Sequence, residues 1–190
     1  MIAIIGGSGF YHADFLQNPK QDKLFTPFGE VAYTTGSIGG VAVCFLSRHG
    51  SGHAVPPHLV NYRANIWALK KLGVEQIFAT AAVGSLNKAV QPGDFVVVDD
   101  FLDFTSGRIQ TFFEGGANGQ LLHMDVSEPY CSRLRNILID NIRKNDQPLH
   151  EYGVYVCTNG PRYESPAEVK FFGGIGGSVV GMTGLPECIL

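Results

Sequence analysis

The sequence predicts an α/β fold, a single domain over residues 1–190 with a central mixed β-sheet flanked by helices. Three observations carry this. Short β-rich runs alternate with segments of helical apolar period. The 190 residues, 45% of them apolar, suffice for one sizeable core and are short for two full domains. No internal repeat, low-complexity tract or linker divides the chain.

Each element has a local signal. "IAIIGGSGF" (2–10) reads as a short buried strand entering a glycine turn. "EVAYTTGSIGGVAVCFLSRHG" (30–50) reads as a hairpin folded at its Gly-Gly pair. In "PHLVNYRANIWALKKLGV" (57–74), Val60, Ala64, Trp67 and Ala68 share one helical face and Gly73 suits the helix end. "EQIFATAAVGSL" (75–86) reads as a strand ending in small residues, and "GDFVVVDDFLDF" (93–104) as one apolar strand opened by the Pro92-Gly93 turn. Residues 106–122 are rich in glycine and polar groups and read as a loop. "EPYCSRLRNILIDNIRKND" (128–146) is an amphipathic helix with Leu134, Ile137, Leu138 and Ile142 as its expected buried stripe. "GVYVCTNGPRYES" (153–165) is a strand and a turn. "SPAEVKFF" (165–172) opens a helix with Ser165 at the N-cap, Pro166 at the first position and Glu168 three residues after the cap. "GSVVGMTGL" (177–185) is a further short strand. The closing "GLPECIL" begins an element and stops, so the polypeptide is expected to continue past Leu190.

Composition narrows the function classes. The formal net charge is −3, and no basic block marks a nucleic-acid footprint. No apolar run reaches membrane-spanning length. The N-terminus has neither a charged n-region nor a small-residue cleavage site. Cys44, Cys131, Cys157 and Cys188 lie far apart and form no CxxC pair, so reduced thiols in a cytoplasm are expected.

Chemistry concentrates where strands end, which is where α/β sheets hold ligands. "GGSG" (6–9) comes directly after the first strand. Its backbone N–H groups and the Ser8 hydroxyl suit an anion, although such a stretch also serves simply as a turn. It matches neither the phosphate loop with its lysine nor the dinucleotide fingerprint. "SRHG" (47–50) ends another strand, with Arg48 offering a planar fork and His49 a further donor. "TAAVGS" (80–85) ends a third with residues too small to shield their backbone, and Thr183 stands at a fourth.

Residues 46–58 also hold three histidines, His49, His53 and His58. Gly52, Pro56 and Pro57 forbid a regular helix there, and no carboxylate or cysteine lies among them. A metal site is therefore not expected. His53 and His58 read as loop residues capping neighbouring backbone groups. His123 stands where a loop enters a helix and fits a surface histidine equally well. Glu164 beside Tyr163 suits a flat ring bearing N–H donors, or a solvated loop acid next to a packed tyrosine. Asp99, Asp100 and Asp103 could face a divalent ion, but fit better as strand-end caps.

The segments "IIGGSGF", "SRHG", "PPH", "NYRANIWALKKLGV", "AVGSL", "PGDFVVVDDFLDFTSGR", "GPRYESPAEV" and "GMTGLPE" occur in this order along nearly the whole chain. Together they resemble the trimeric purine nucleoside phosphorylases, most closely the methylthioinosine and methylthioadenosine phosphorylases. The resemblance implies attack of inorganic phosphate, the co-substrate, on C1′ of a purine nucleoside, with no cofactor and no metal. It implies that Ser8, Arg48, His49, Ala81, Ala82 and Thr183 bind phosphate. Ala81 stands where some members carry threonine, and backbone donors are expected to compensate. Met182 matches a residue packed on the ribose and Tyr163 an aromatic beside the base. His123 matches a histidine lent to a neighbouring subunit, which implies a homotrimer. The family's donor to purine N7 would lie beyond Leu190.

Glu164 stands where adenine-specific members often carry a small hydroxyl residue. A carboxylate accepts from N1–H of a 6-oxopurine, whereas adenine has no proton at N1. The expected substrate is thus methylthioinosine, inosine or guanosine, ahead of methylthioadenosine. A non-catalytic nucleoside- or phosphate-binding protein is the alternative from another class.

Overall fold

The computed structural model describes residues 1–115 and 119–190. The expected 106–122 loop includes 116–118, which lie outside the described residues. The architecture is α/β, and the chain divides into two compact units, Met1–Ala82 with Leu190, and Val83–Ile189.

The first unit is built on a five-stranded mixed sheet in the order β2-β3-β4-β1-β5. Its strands are β1 (Ile2–Gly6), β2 (Gln17–Thr26), β3 (Gly29–Ile38), β4 (Val41–Ser47) and β5 (Gln76–Ala79). The expected hairpin forms between β3 and β4, with Gly39 and Gly40 at φ 55° and 82° in the two-residue turn. β1 pairs in parallel with β4 on one side and β5 on the other, so these three strands end at one edge.

Burial tracks the pleat. Ala3 and Ile5 of β1, Cys44 and Leu46 of β4 and Val31 of β3 form a core with Ala64, Ala68 and Leu69 of helix α1 (Tyr62–Lys71). Val43, Phe45 and Leu16 form a second cluster, joined by Ile4 and Phe10. β1 and β4 are thus covered on both faces, as parallel strands require. Of the expected α1 face, Ala64 and Ala68 are buried and Trp67 is half-buried, while Tyr62 and Leu69 complete the stripe. Asn61 caps the helix by accepting from the Ala64 N–H at 3.1 Å. Gly73 closes it at φ 77°, with Gly73 N–H donating to Lys70 and Val74 N–H to Leu69.

β2 is an edge strand that the sequence pattern does not announce. It is almost wholly exposed, and its register shifts between Gln17 and Lys20, around Pro19. An edge position tolerates that proline, because one side of the strand needs no ladder donor.

The second unit has a mixed four-stranded sheet in the order β6-β11-β10-β8. It comprises β6 (Gly84–Ser85), β8 (Asp100–Phe104), β10 (Val154–Thr158) and β11 (Val179–Gly181). β10 pairs in parallel with both β8 and β11. A separate parallel pair joins β7 (Phe95–Val96) to β9 (Leu149–His150). The stretch expected as one strand over 93–104 is therefore two strands in different sheets. Asp99 lies at the break, its carboxylate accepting the Gly153 N–H at 2.8 Å.

Helix α3 (Pro166–Gly174) starts as its sequence requires: Ser165 and Glu168 form a reciprocal capping box. Its Phe172 packs with Val156 and Val180. On the other face, Tyr155, Cys157, Val179 and Leu185 form a core. Helix α2 (Ser132–Lys144) corrects the expected stripe. Ile139 is its buried residue, Leu134 and Ile142 are half-buried, and Ile137 and Leu138 are exposed. Arg135 shares the inward face because its guanidinium donates to the carbonyls of Val97, Val98 and Glu151. Among the described residues, no helix is long and apolar enough to cross a membrane.

Candidate active site

In the first unit, the ends of β1, β4 and β5 bring together the loop holding Ser8, the Arg48-His49 pair and the segment from Thr80 to Ala82. The connection after β1 runs past β4 to the edge strand β2, and the one after β4 runs past β1 to β5, so these neighbouring strands send their connections in opposite directions, the crevice position in open α/β sheets. Ser8 is exposed at the tip of its turn, and Ala81 and Ala82 are exposed beyond β5. Arg48 and His49 are the reverse: 4% and 2% exposed.

Arg48 is held from two sides. Its backbone N–H donates to Gly6 at 3.0 Å, and Nη1 donates to the Thr80 carbonyl at 2.8 Å. Thr80 in turn accepts the Gly7 N–H on Oγ1 at 3.3 Å. Gly7 must be glycine for this closeness, because a Cβ there would sit 2.5 Å from the Thr80 carbonyl oxygen and 3.0 Å from Arg48 Nη1. The result is a buried guanidinium beside a glycine loop, a combination suited to a multiply charged oxyanion.

His49 is fixed by Val55: its Nδ1 donates to the Val55 carbonyl at 2.8 Å, and its own carbonyl accepts the Val55 N–H at 2.9 Å. A carbonyl only accepts, so Nδ1 carries a proton and Nε2 is the ring's other polar atom. His53 stacks on this ring with centroids 4.2 Å apart. Tyr11 Oη lies 3.0 Å from His53 Nδ1.

In the second unit, the segments after β10 and β11 carry Tyr163 and Glu164, and Met182 and Thr183, respectively. Thr183 is 6% exposed, and its backbone N–H donates to Tyr155 Oη at 3.3 Å, as that of Gly184 does at 3.4 Å. Burial pushes the Tyr155 phenol up to about 12, so it remains a neutral anchor. Met182 is half-buried. Arg108 ties this turn down: Nη2 donates to Met182 at 2.9 Å and to Asn159 at 3.1 Å, and Nη1 donates to Leu185.

Glu164 is half-buried and accepts from Thr158 Oγ1 at 2.8 Å. It lines a cavity of about 240 Å³ with Phe104, Asn159 and Phe172. Tyr163, by contrast, is 85% exposed. The turn bearing both is clamped by Arg162, which bonds both oxygens of Glu168 at 2.7 and 2.8 Å and the Tyr163 carbonyl at 3.1 Å. Arg162, then the Ser165 N–H, hold the Glu168 carboxyl down from 4.5 to about 2. A depressed carboxyl contributes stability above its unfolded value and loses it as pH falls through the folded one. The clamp is therefore intact above 4.5 and lost toward 2. Side-chain carboxyl NMR should show a Glu168 midpoint near 2 that returns toward 4.5 in Arg162→Ala.

His123 is exposed and lines a separate cavity of about 360 Å³ with Phe101, Leu122 and Met124. Asp103 accepts the Thr105 N–H at 2.8 Å, and Asp100 accepts that of Phe101, so both act as local caps. Among the described residues, no group of three His, Cys, Asp or Glu side chains could hold a metal ion. Burial raises the Cys44 and Cys157 thiols to about 11, which makes them poor nucleophiles.

A sequence profile of the Phosphorylase superfamily matches residues 1–190. The chain belongs to the phosphorylase superfamily. It is 52% identical over 189 residues to a protein of Dictyoglomus turgidum named a probable 6-oxopurine nucleoside phosphorylase, covering 100% of this chain and 71% of that protein. It is 50% identical over 192 residues to one of Methanothermobacter thermautotrophicus named a probable S-methyl-5'-thioinosine phosphorylase, covering 100% of this chain and 65% of that protein. Methylthioadenosine phosphorylase from Schistosoma mansoni, solved in complex with adenine, superposes with a TM-score of 0.94 at 39% identity, covering 100% of this chain and 72% of that one.

Thr80, Arg108, Tyr155 and Thr158 lie in segments the sequence singles out, but it does not assign their supporting roles. Each acts through a contact set by the fold.

Proposed function

We propose that this superfamily member catalyses phosphate-dependent cleavage of a 6-oxopurine nucleoside, methylthioinosine, inosine or guanosine, in purine salvage. A phosphate oxygen forms a bond to C1′ as the bond from C1′ to the purine breaks, giving free base and a sugar 1-phosphate. The sugar becomes oxocarbenium-like on the way, and a phosphate held beside it both stabilises and captures that cation. Ser8, Arg48, His49 and the backbone at Ala81 and Ala82 serve the phosphate, with Thr183 as a further donor. Met182 packs on the ribose and Tyr163 beside the base. The reaction needs inorganic phosphate as co-substrate and no cofactor.

The observation that carries the base assignment is Glu164, oriented by the Thr158 hydroxyl at 2.8 Å. The names of the two proteins about half identical to this chain, both of 6-oxopurine type, support it. Methylthioadenosine is the alternative substrate, supported by the name of the Schistosoma protein. We further infer a cytoplasmic homotrimer in which His123 reaches a neighbouring subunit. Its own exposure and that of Leu121 and Met124 beside it support the subunit contact.

The test is base release from methylthioinosine, methylthioadenosine, inosine, guanosine and adenosine, each with and without phosphate. Hypoxanthine or guanine released only with phosphate is expected. Preferential adenine release would overturn the base assignment, and release that ignores phosphate would overturn the reaction.

A further inference from the structure

We propose that His53 is a positioning residue for phosphate binding: its ring stacks on His49 and fixes the plane in which His49 presents Nε2. This rests on the reading of His49 as a phosphate ligand. His53 is exposed, and its backbone is left-handed, at φ 60°, directly after Gly52 at φ 64°. That conformation strains a residue carrying a Cβ more than it strains glycine, although histidine is among the side chains found there most often. Such strain persists where the surrounding structure holds it in place, often at ligand sites.

The side chain holds it. The ring lies 4.2 Å from that of His49 at an interplanar angle of 28°, and Tyr11 Oη anchors its Nδ1 at 3.0 Å. His49 itself is pinned at Nδ1 by the Val55 carbonyl. The stacked face of His53 adds a flat surface that opposes rotation of the His49 ring about the Nδ1 hydrogen bond, and Tyr11 holds His53 in turn. The chain Tyr11–His53–His49 is thus a brace that runs from the loop after β1 to the end of β4.

The experiment measures KM for inorganic phosphate and for nucleoside separately, with melting temperature, in His53→Ala, His53→Gly, His53→Phe and Tyr11→Phe. His53→Gly suits the left-handed backbone, so it keeps the fold while losing the ring. In both His53→Ala and His53→Gly, phosphate KM should rise about five- to tenfold, the scale of one lost aromatic stack, while nucleoside KM moves less than about twofold. His53→Phe restores a flat face and should return phosphate KM to within about twofold of the parent. Tyr11→Phe should raise phosphate KM about threefold, the scale of one neutral hydrogen bond.

Unchanged phosphate KM in His53→Gly would overturn the inference, as would equal rises in both KM values. If the unsubstituted protein turned over nucleoside without needing phosphate, the functional reading would fall first and this inference with it. That outcome is distinct, because it is seen before any variant is made.

Discussion

Replacing Arg48 by alanine should lower kcat/KM for phosphate by about 100- to 1,000-fold, the scale seen when a preorganised oxyanion donor is removed. Arg48 is 4% exposed and tied to the Thr80 carbonyl at 2.8 Å. Its guanidinium is therefore already desolvated and aimed before phosphate arrives, and little reorganisation remains for the moment of reaction. Lysine would restore charge but not the planar fork, and its ammonium is a compact, more strongly hydrated group. Arg48→Lys should accordingly remain at least about tenfold impaired, because bidentate geometry is lost. The same burial means that Arg48→Ala also leaves the Thr80 carbonyl without its donor, at a stability cost of about 1–3 kcal/mol. Steady-state kinetics with phosphate varied, read beside a thermal melt, separates the two effects. A folded Arg48→Ala protein with unaltered phosphate kinetics would remove Arg48 from the phosphate site.

The reason such residues are legible from sequence is geometric. β1, β4 and β5 are parallel, so the last residues of all three reach the same edge, and the loops that leave these strands meet in one place. Hairpin turn, helix caps and capping box are equally local: Gly39 and Gly40, Asn61, Ser165 with Glu168. Each depends on residues within four positions. β2 is not legible, because an exposed edge strand containing a proline and rich in charged and amide side chains has no buried face to impose alternation. Asp99 and Asp100 read as strand-end caps in the run before Phe104, but the partner that places the break there is not local: Asp99 meets Gly153, 54 residues away. Period alone places Ile137 and Leu138 inside α2, whereas Arg135 takes the inward position through three carbonyls that periodicity does not record. The residues supporting the site are hidden for the same reason. Thr158 under Glu164, Arg108 under Met182 and Tyr11 behind His53 are partners chosen by the fold.

Glu164→Ser should shift base preference from 6-oxopurines toward 6-aminopurines. The carboxylate has capacity for about four hydrogen bonds, and the Thr158 hydroxyl at 2.8 Å uses one. A 6-oxopurine supplies a proton from N1 to such an acceptor. Adenine presents a lone pair there, so the carboxylate and N1 repel. A hydrogen bond to a charged group is worth about 1.5–3 kcal/mol, which corresponds to a loss of roughly 10- to 150-fold in kcat/KM for methylthioinosine or inosine. Removing the repulsion acts in the opposite sense on adenine nucleosides, so the ratio of the two specificities should move by more than either alone. Glu164→Gln separates charge from shape: its amide can still accept from N1–H, but as a neutral group, and should fall between parent and serine. Thr158→Val tests the orientation, since it leaves the carboxylate and removes the hydroxyl that aims it. A base preference unchanged in Glu164→Ser would return Glu164 to a loop acid held by Thr158 and would leave the choice of purine to other residues.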